Sequence, residues 1–309
     1  VSSVDEIEHA KVVQPPAHIT QTAHIQSMEQ YKEMYRKSIE EPEAFWSQAA
    51  LDTVSWFHPF DQSFSGSFEK GDVRWFANGK LNISYNCLDR HVAANPDKIA
   101  IIWEGDEIGE EATITYAQLF ADVCKLANAL KRIGVKKGDS VAIYMPMVPE
   151  AAVAMLACTR IGAMHSVVFA GFSSQALRDR IIDGNTRFVI TTNQGVRGGR
   201  AIALKKTVDD AIQGLNVEKV IVSKRKDVPT PMQEGRDIWF HDALANERPY
   251  CPAEWMDSED PLFVLYTSGS TGKPKGLIHT HGGYLVYASL THKYVFDYHP
   301  NDVYACVAD

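Results

Sequence analysis

From Ser140 to Ala170 the chain reads SVAIYMPMVPEAAVAMLACTRIGAMHSVVFA. Ser140 to Met145 is a short apolar run and predicts a strand. Glu150 to Ile161, dominated by Ala, Met and Leu, predicts a helix. Ser166 to Ala170 predicts a second strand. The same cycle extends in both directions. Upstream, Ile99 to Trp103 reads as a short strand. Thr115 then opens a helix, with Gln118 three residues on to complete a capping box. Leu119, Phe120, Val123, Leu126, Ala127 and Leu130 give that helix one apolar face, and Gly134 supplies its stop. Downstream come a helix over Ser174 to Ile182, a strand over Arg187 to Thr192, a helix near Ala203 to Ile212 and a strand over Lys219 to Ser223. Short apolar strands alternating with helices of this length predict an α/β layered sandwich with a largely parallel sheet, covered by helices on both faces. A Pro-rich stretch from Asp227 to Pro261 reads as loop. One last strand, Leu262 to Tyr266, follows it.

Residues 1–60 differ in character. They carry Pro15, Pro16, Pro42 and Pro59 and four of the eleven histidines. Met28, Tyr31, Met34 and Tyr35 recur at helical spacing, so a short helix, a break at Pro42 and a second helix around Ala44 to Ala50 are expected. The division expected is a helical extension over 1–60 and a main body over 61–309. The aromatic residues between Trp56 and Phe76 are read as anchors for irregular chain.

Composition narrows the function. With 309 residues, 45% hydrophobic and 23% charged, the chain has material for a substantial core, in one large domain or two. A formal charge of −8 argues against indiscriminate nucleic-acid binding. The longest apolar run, Ala151 to Cys158, is far short of a membrane span. The five cysteines, at 87, 124, 158, 251 and 306, show no CxxC spacing. A zinc knuckle or thioredoxin-like site is therefore not expected, and free thiols in a reducing compartment are.

The most informative segment is Tyr266-Thr267-Ser268-Gly269-Ser270-Thr271-Gly272-Lys273-Pro274-Lys275-Gly276. Glycines let successive backbone N–H groups face one side, hydroxyls add donors, and lysines add mobile positive charge. Together they suit phosphate. The pattern is neither the P-loop of NTPases, since Thr267 and Pro274 stand where Gly and Ser or Thr are required, nor the dinucleotide fingerprint. A second feature lies between Leu177 and Lys206, where seven basic residues face two acidic ones. A solvated helix face explains Arg178, Arg180, Lys205 and Lys206 as well as a ligand does. Arg197 and Arg200 differ, because they flank Gly198-Gly199 after a parallel strand, where such sheets place their sites. His279, His281 and His165 are read as satisfied structural histidines, and Met145, Met147, Met155 and Met164 as core filler.

The segment Tyr266 to Gly276 resembles the signature loop of the adenylate-forming superfamily. More narrowly, the chain resembles the acetyl-CoA synthetases of its short-chain acyl-CoA branch, from roughly Ile19 to the last residue. That resemblance rests on Trp75-Phe76 with Gly79-Lys80-Leu81-Asn82, on Asn86-Cys87-Leu88-Asp89-Arg90-His91, and on Tyr144-Met145-Pro146-Met147 followed by Pro149-Glu150. It continues through Phe169-Ala170-Gly171-Phe172-Ser173 and Gly195-Val196-Arg197-Gly198-Gly199-Arg200.

The resemblance implies an ATP-dependent ligase that joins acetate to coenzyme A through an acetyl-adenylate, with Mg2+ on the phosphates. It implies phosphate contacts from Thr267, Ser268, Gly269, Ser270, Thr271, Gly272, Lys273, Lys275 and Gly276. Lys273 and Lys275 would stabilise the charge on departing pyrophosphate. It implies that Arg197 and Arg200 meet the phosphorylated nucleotide of coenzyme A, and that Gly171 lets it approach the backbone. The fold is then the incomplete N-terminal domain of an adenylate-forming enzyme, in a family whose members are roughly twice this length. The metal ligand, the ribose carboxylate, the hinge and the main catalytic lysine are expected downstream, so no metal ligand is assigned here. These 309 residues alone are expected to be inactive. Propionate or another short acid as substrate, and a non-catalytic module binding coenzyme A or nucleotide, are the competing readings. Neither nucleic acid nor membrane is an expected partner, and a homo-oligomer stays open. Cytosol is the expected location, with nucleus or mitochondrion open in a eukaryote.

Overall fold

The computed structural model describes residues 14–267 and 274–306. These form two compact units, one of the residues up to Thr53 together with Val286–Cys306, the other spanning Val54–Leu285. In the first unit, Ser27 caps the helix Met28–Glu40 by accepting from the Gln30 backbone N–H. A second helix, Pro42–Thr53, starts at the proline, where a missing N–H costs nothing.

The second unit is built in the alternating order the sequence predicts. Helix α1 (Tyr116–Arg132) precedes strand β1 (Ser140–Tyr144), helix α2 (Pro149–Arg160), strand β2 (Met164–Val167) and helix α3 (Ser174–Asp183). Strand β3 (Phe188–Thr192), helix α4 (Leu204–Ile212), strands β4 (Lys219–Ser223) and β5 (Asp237–Trp239), and strands β6 (Pro261–Thr267) and β7 (Lys275–Thr280) complete it. These strands form one seven-stranded sheet in the order β5-β4-β3-β1-β2-β6-β7. Every pairing is parallel except that of β6 with β7.

Alternate residues of β1, β3 and β4 enter opposite cores, as a period of two requires. Val141, Ile143, Phe188, Ile190 and Ile221 pack on one face with Leu126, Leu130, Val153 and Ala157 of α1 and α2. Ala142, Tyr144, Val189, Val220 and Val222 pack on the other with Leu177, Val208 and Ile212 of α3 and α4. Burying one such side chain is worth roughly 1.5–3 kcal/mol, so the two cores together position the strand ends. The capping box at Thr115 and Gln118 forms with both of its hydrogen bonds.

Three local expectations are corrected. Ile99–Glu104 does not join the main sheet but pairs antiparallel with Glu111–Thr115, because the connection between them is far too short for a crossover. The stretch from Asp227 to Pro261 is not all loop; it supplies the edge strand β5 and a one-turn helix, Phe240–Leu244. The strand ending near Tyr266 is not the last, since Lys275 and Gly276, read as loop, begin β7. Only Leu277 and Ile278 are apolar within β7, and both are exposed, so its periodicity is weak.

Candidate functional site

β1 stands between β2 and β3, and the chain leaves it toward β2 before returning to build on the β3 side. The crevice outside their carboxyl ends is thus a topological switch point, where open α/β sheets bind ligands. A cavity of 330 Å³ lies there. Its walls are Met145–Met147 after β1, Phe169–Phe172 after β2, Gly195–Arg197 after β3, Leu265 and Tyr266 of β6, and Arg180 of α3.

The walls are fixed from below by buried polar groups. The hydroxyl of Tyr144, at the end of β1, lies 3.0 Å from the Ala170 carbonyl and 2.7 Å from that of Phe172, which ties the loop after β2 to β1. Burial pushes this phenol above its ordinary pKa, so it stays a donor. Thr191 of β3 donates to the Tyr144 carbonyl at 2.7 Å. Gly171 is held where a side chain has no room: a Cβ there would lie 2.3 Å from the Phe169 ring and 2.7 Å from Arg197 Nη1. The Arg197 guanidinium stacks over Phe169 at 4.7 Å.

Arg197 and Arg200 sit on a hairpin, Gly195–Arg197 against Arg200–Ile202, and stand directly opposite each other. Gly198 and Gly199 form its two-residue turn with φ of 55° and 73°, a left-handed pair that glycine accommodates best. Arg197 lines the cavity; Arg200 is exposed and does not. Thr267 ends β6 opposite Lys275, and Gly276 lies opposite Tyr266. Ser268, Gly269, Ser270, Thr271, Gly272 and Lys273 lie outside the described residues. The hydroxyl- and lysine-rich segment therefore connects β6 to β7 at the same strand end whose Tyr266 lines the cavity.

Arg180 is the contributor that sequence reasoning passed over. It is buried, with its guanidinium 4.8 Å over the Phe172 ring and 5.1 Å over that of Tyr266. Tyr266 donates to Asp183 Oδ2 at 2.7 Å, and burial, followed by that carboxylate, raises its pKa. The signal was in the sequence: Arg180 shares the α3 face of Leu177 and Ile181. Lys205 follows the same rule. It is 2% exposed and pairs with Asp209 and Asp237 at 2.8 Å each, which fastens α4 to β5. Arg178 is spent on the Ala211 and Gln213 carbonyls. Of the four helix cations only Lys206, paired with Asp210, is a solvated face residue.

Two histidines are not the satisfied groups expected. Among the described residues, His165 Nδ1 and both ring nitrogens of His281 are buried without a hydrogen-bond partner. His279 stacks on Phe263 at 4.6 Å. Burial pushes the thiols of Cys87 and Cys124 up to about 11 and that of Cys158 to about 12, so these are inert core groups.

The sequence matches the family described as AMP-binding enzyme over residues 88–309. This chain belongs to that family. The residues preceding the match, 31–87, fit the description acetyl-coenzyme A synthetase N-terminus. Among relatives of this AMP-binding enzyme chain, an acetyl-coenzyme A synthetase of Vibrio cholerae is 58% identical over 284 residues, covering 90% of this chain and 44% of the relative. One from Dictyostelium discoideum is 52% identical over 304 residues, covering 98% and 45%. The chain thus spans less than half the length of these curated relatives. The solved structure of acetoacetyl-CoA synthetase from Streptomyces lividans superposes with a TM-score of 0.85 at 26% identity, covering 94% of this chain and 46% of that one. The mostly parallel seven-stranded sheet is thereby that of an adenylate-forming N-terminal domain.

Proposed function

We propose that the chain is the N-terminal part of an AMP-forming acetate–CoA ligase, with 1–60 its extension and 61–309 the first part of its large domain. The observation that carries this reading is identity above one half, over nearly the whole chain, with proteins named acetyl-coenzyme A synthetase. In the first half-reaction an acetate oxygen attacks the α-phosphorus of ATP and pyrophosphate leaves, giving acetyl-adenylate. In the second, the coenzyme A thiol loses its proton, its sulfur attacks the acyl carbon, and AMP leaves. Acetate is a carboxylate at neutral pH and needs no general base.

The roles follow from charge. Thr267 and Lys275, with Ser268 to Lys273 between them and Gly276 beyond, would meet the β- and γ-phosphates and offset charge on departing pyrophosphate. Arg197, Arg200 and Gly171 would meet the phosphorylated nucleotide of coenzyme A. Two opposed arginines repel across a hairpin, and an anion between them reverses the sign of that contact. No carboxylate lines the cavity among the described residues; Mg2+ bound with ATP would add positive charge against the negative charge of the phosphates. Acetate, ATP and coenzyme A are the proposed partners, in the cytosol. No helix among the described residues is long and apolar enough to cross a membrane.

The test is acetate-dependent exchange of pyrophosphate into ATP by the complete protein, run with acids from acetate to hexanoate. Exchange that peaks at acetate supports the reading, and equal rates for all acids count against a dedicated acetate enzyme. Lys275→Ala should slow exchange. Arg197→Ala and Gly171→Ala, the latter displacing Phe169 and Arg197, should leave exchange intact and raise the KM for coenzyme A at least about tenfold, a loss of one charged hydrogen bond. An unchanged KM would remove these two residues from the coenzyme A site. The 309-residue chain alone should show no turnover.

A further inference from the structure

We propose that His24, Asp297 and His299 form a site for one divalent transition-metal ion, for which Zn2+ suits the donor set, and that the ion fastens the two sequence-distant segments of the first unit together. One ligand atom from each of the three lies within 4.8 Å of the others. Two imidazoles and a carboxylate, with a fourth position left for water, are a donor set that Zn2+ accepts.

The surrounding contacts prepare these groups as ligands. His24 Nε2 lies 3.0 Å from the Tyr298 carbonyl, which can only accept, so Nε2 carries the proton and Nδ1 keeps its lone pair. A ring N–H held by a backbone carbonyl is how metal-bound histidines are usually oriented. The backbone N–H of His24 donates to Asp297 Oδ1 at 2.8 Å, which fixes that carboxyl in place. His299 Nε2 is enclosed without a hydrogen-bond partner among the described residues, and Asp297 Oδ2 at 3.5 Å is too far to be a good one. The two imidazole rings stack at 4.2 Å and 10°, so their in-plane lone pairs do not yet converge. Binding requires one ring to turn. The His299 side chain is 31% exposed, so it is the less confined on its solvent side. The site joins the turn before the helix Met28–Glu40 to the chain following Val295.

The experiment uses the 309-residue chain stripped with EDTA, then titrated with Co2+ as a visible probe and with Zn2+ by calorimetry. One Co2+ per chain with d–d bands of a four- or five-coordinate site, displaced by Zn2+, is expected. Zn2+ should also raise the thermal unfolding midpoint by several degrees, since it binds the folded state alone. His24→Ala, Asp297→Asn and His299→Ala should each weaken Zn2+ at least about tenfold, because losing a ligand costs no less than losing its support. Cys306→Ser should change nothing, which separates this site from adventitious binding at the exposed thiol. Circular dichroism checks that each variant is folded, and the milder His299→Gln stands in for any that is not. Absence of binding, binding that survives His24→Ala and His299→Gln, or binding lost in Cys306→Ser would overturn the proposal.

Discussion

Arg160 has no exposed surface, and a charge so placed is tolerated only because each guanidinium nitrogen has an acceptor. Nη1 and Nη2 meet Asp89 at 2.8 and 2.9 Å, Nε meets the Cys251 carbonyl at 2.5 Å, and the guanidinium lies 5.0 Å over the Phe120 ring. Burial alone would lower its pKa, and the hydrogen bonds from Asp89 outweigh it and leave the pKa raised. Asp89→Ala therefore leaves a buried, unpaired cation and should destabilise the chain by about 3–5 kcal/mol, read from urea unfolding. A loss under 1 kcal/mol would show that water reaches Arg160. His165 and His281 act in the opposite sense. Burial lowers them from 6.5 to about 4 and about 3, with the neighbouring His165 and Lys137 lowering His281 further against the pull of Asp260. The unfolded chain takes up protons near 6.5 that the folded chain refuses. Stability is thus full above pH 6.5 and falls as pH drops toward 4 and then 3, by up to about 1.4 kcal/mol per pH unit for each group. His281→Leu should flatten that acid slope in unfolding measured between pH 7 and 5, since neither ring nitrogen loses a bond. A slope unchanged in the variant would move the effect elsewhere.

Among the elements, α1 depends most visibly on a local signal. Thr115→Ala removes the side-chain acceptor of the Gln118 N–H and should cost about 1 kcal/mol, seen as a lower thermal midpoint with the fold intact. Thr115→Ser should restore most of it. This capping box was legible because both partners lie within one turn, and β1, β3 and β4 were legible because they are wholly or almost wholly buried apolar runs. What was not legible depended on pairings that no single segment shows. Ile99–Glu104 resembles a sheet strand until its short hairpin is seen, and β5 has only three residues. Of the residues lining the cavity, Arg197 was singled out by its flanking glycines after a strand, and Gly171 only through the family resemblance. The buried α3 face of Arg180 could be read from Leu177 and Ile181, but its place at the cavity could not, because its two aromatic supports, Phe172 and Tyr266, come from different strand ends. Lys205 likewise finds Asp237 only through the pairing of β4 with β5.

For the whole molecule, the sheet ends at β7, whose outer edge is unpaired among the described residues and whose Leu277 and Ile278 are 52% and 59% exposed. An apolar edge of this kind templates pairing with other chains. Ile278→Lys should reduce light scattering of concentrated 309-residue chain without lowering its melting midpoint, and equal scattering would place the contact elsewhere. The strand order has a further consequence, in time rather than in space. Strands β1 to β5 can pair as soon as Trp239 has been synthesised, whereas the other edge of β2 waits for β6, with Phe263 opposite His165. Long-range pairings of this sort form late. In pulse-labelled refolding, amides of β1 and β3 should be protected before those of β6, and simultaneous protection would refute the order. Because Leu265 and Tyr266 ride on β6, the cavity would close late, open on one side while β1 to β5 are already stable.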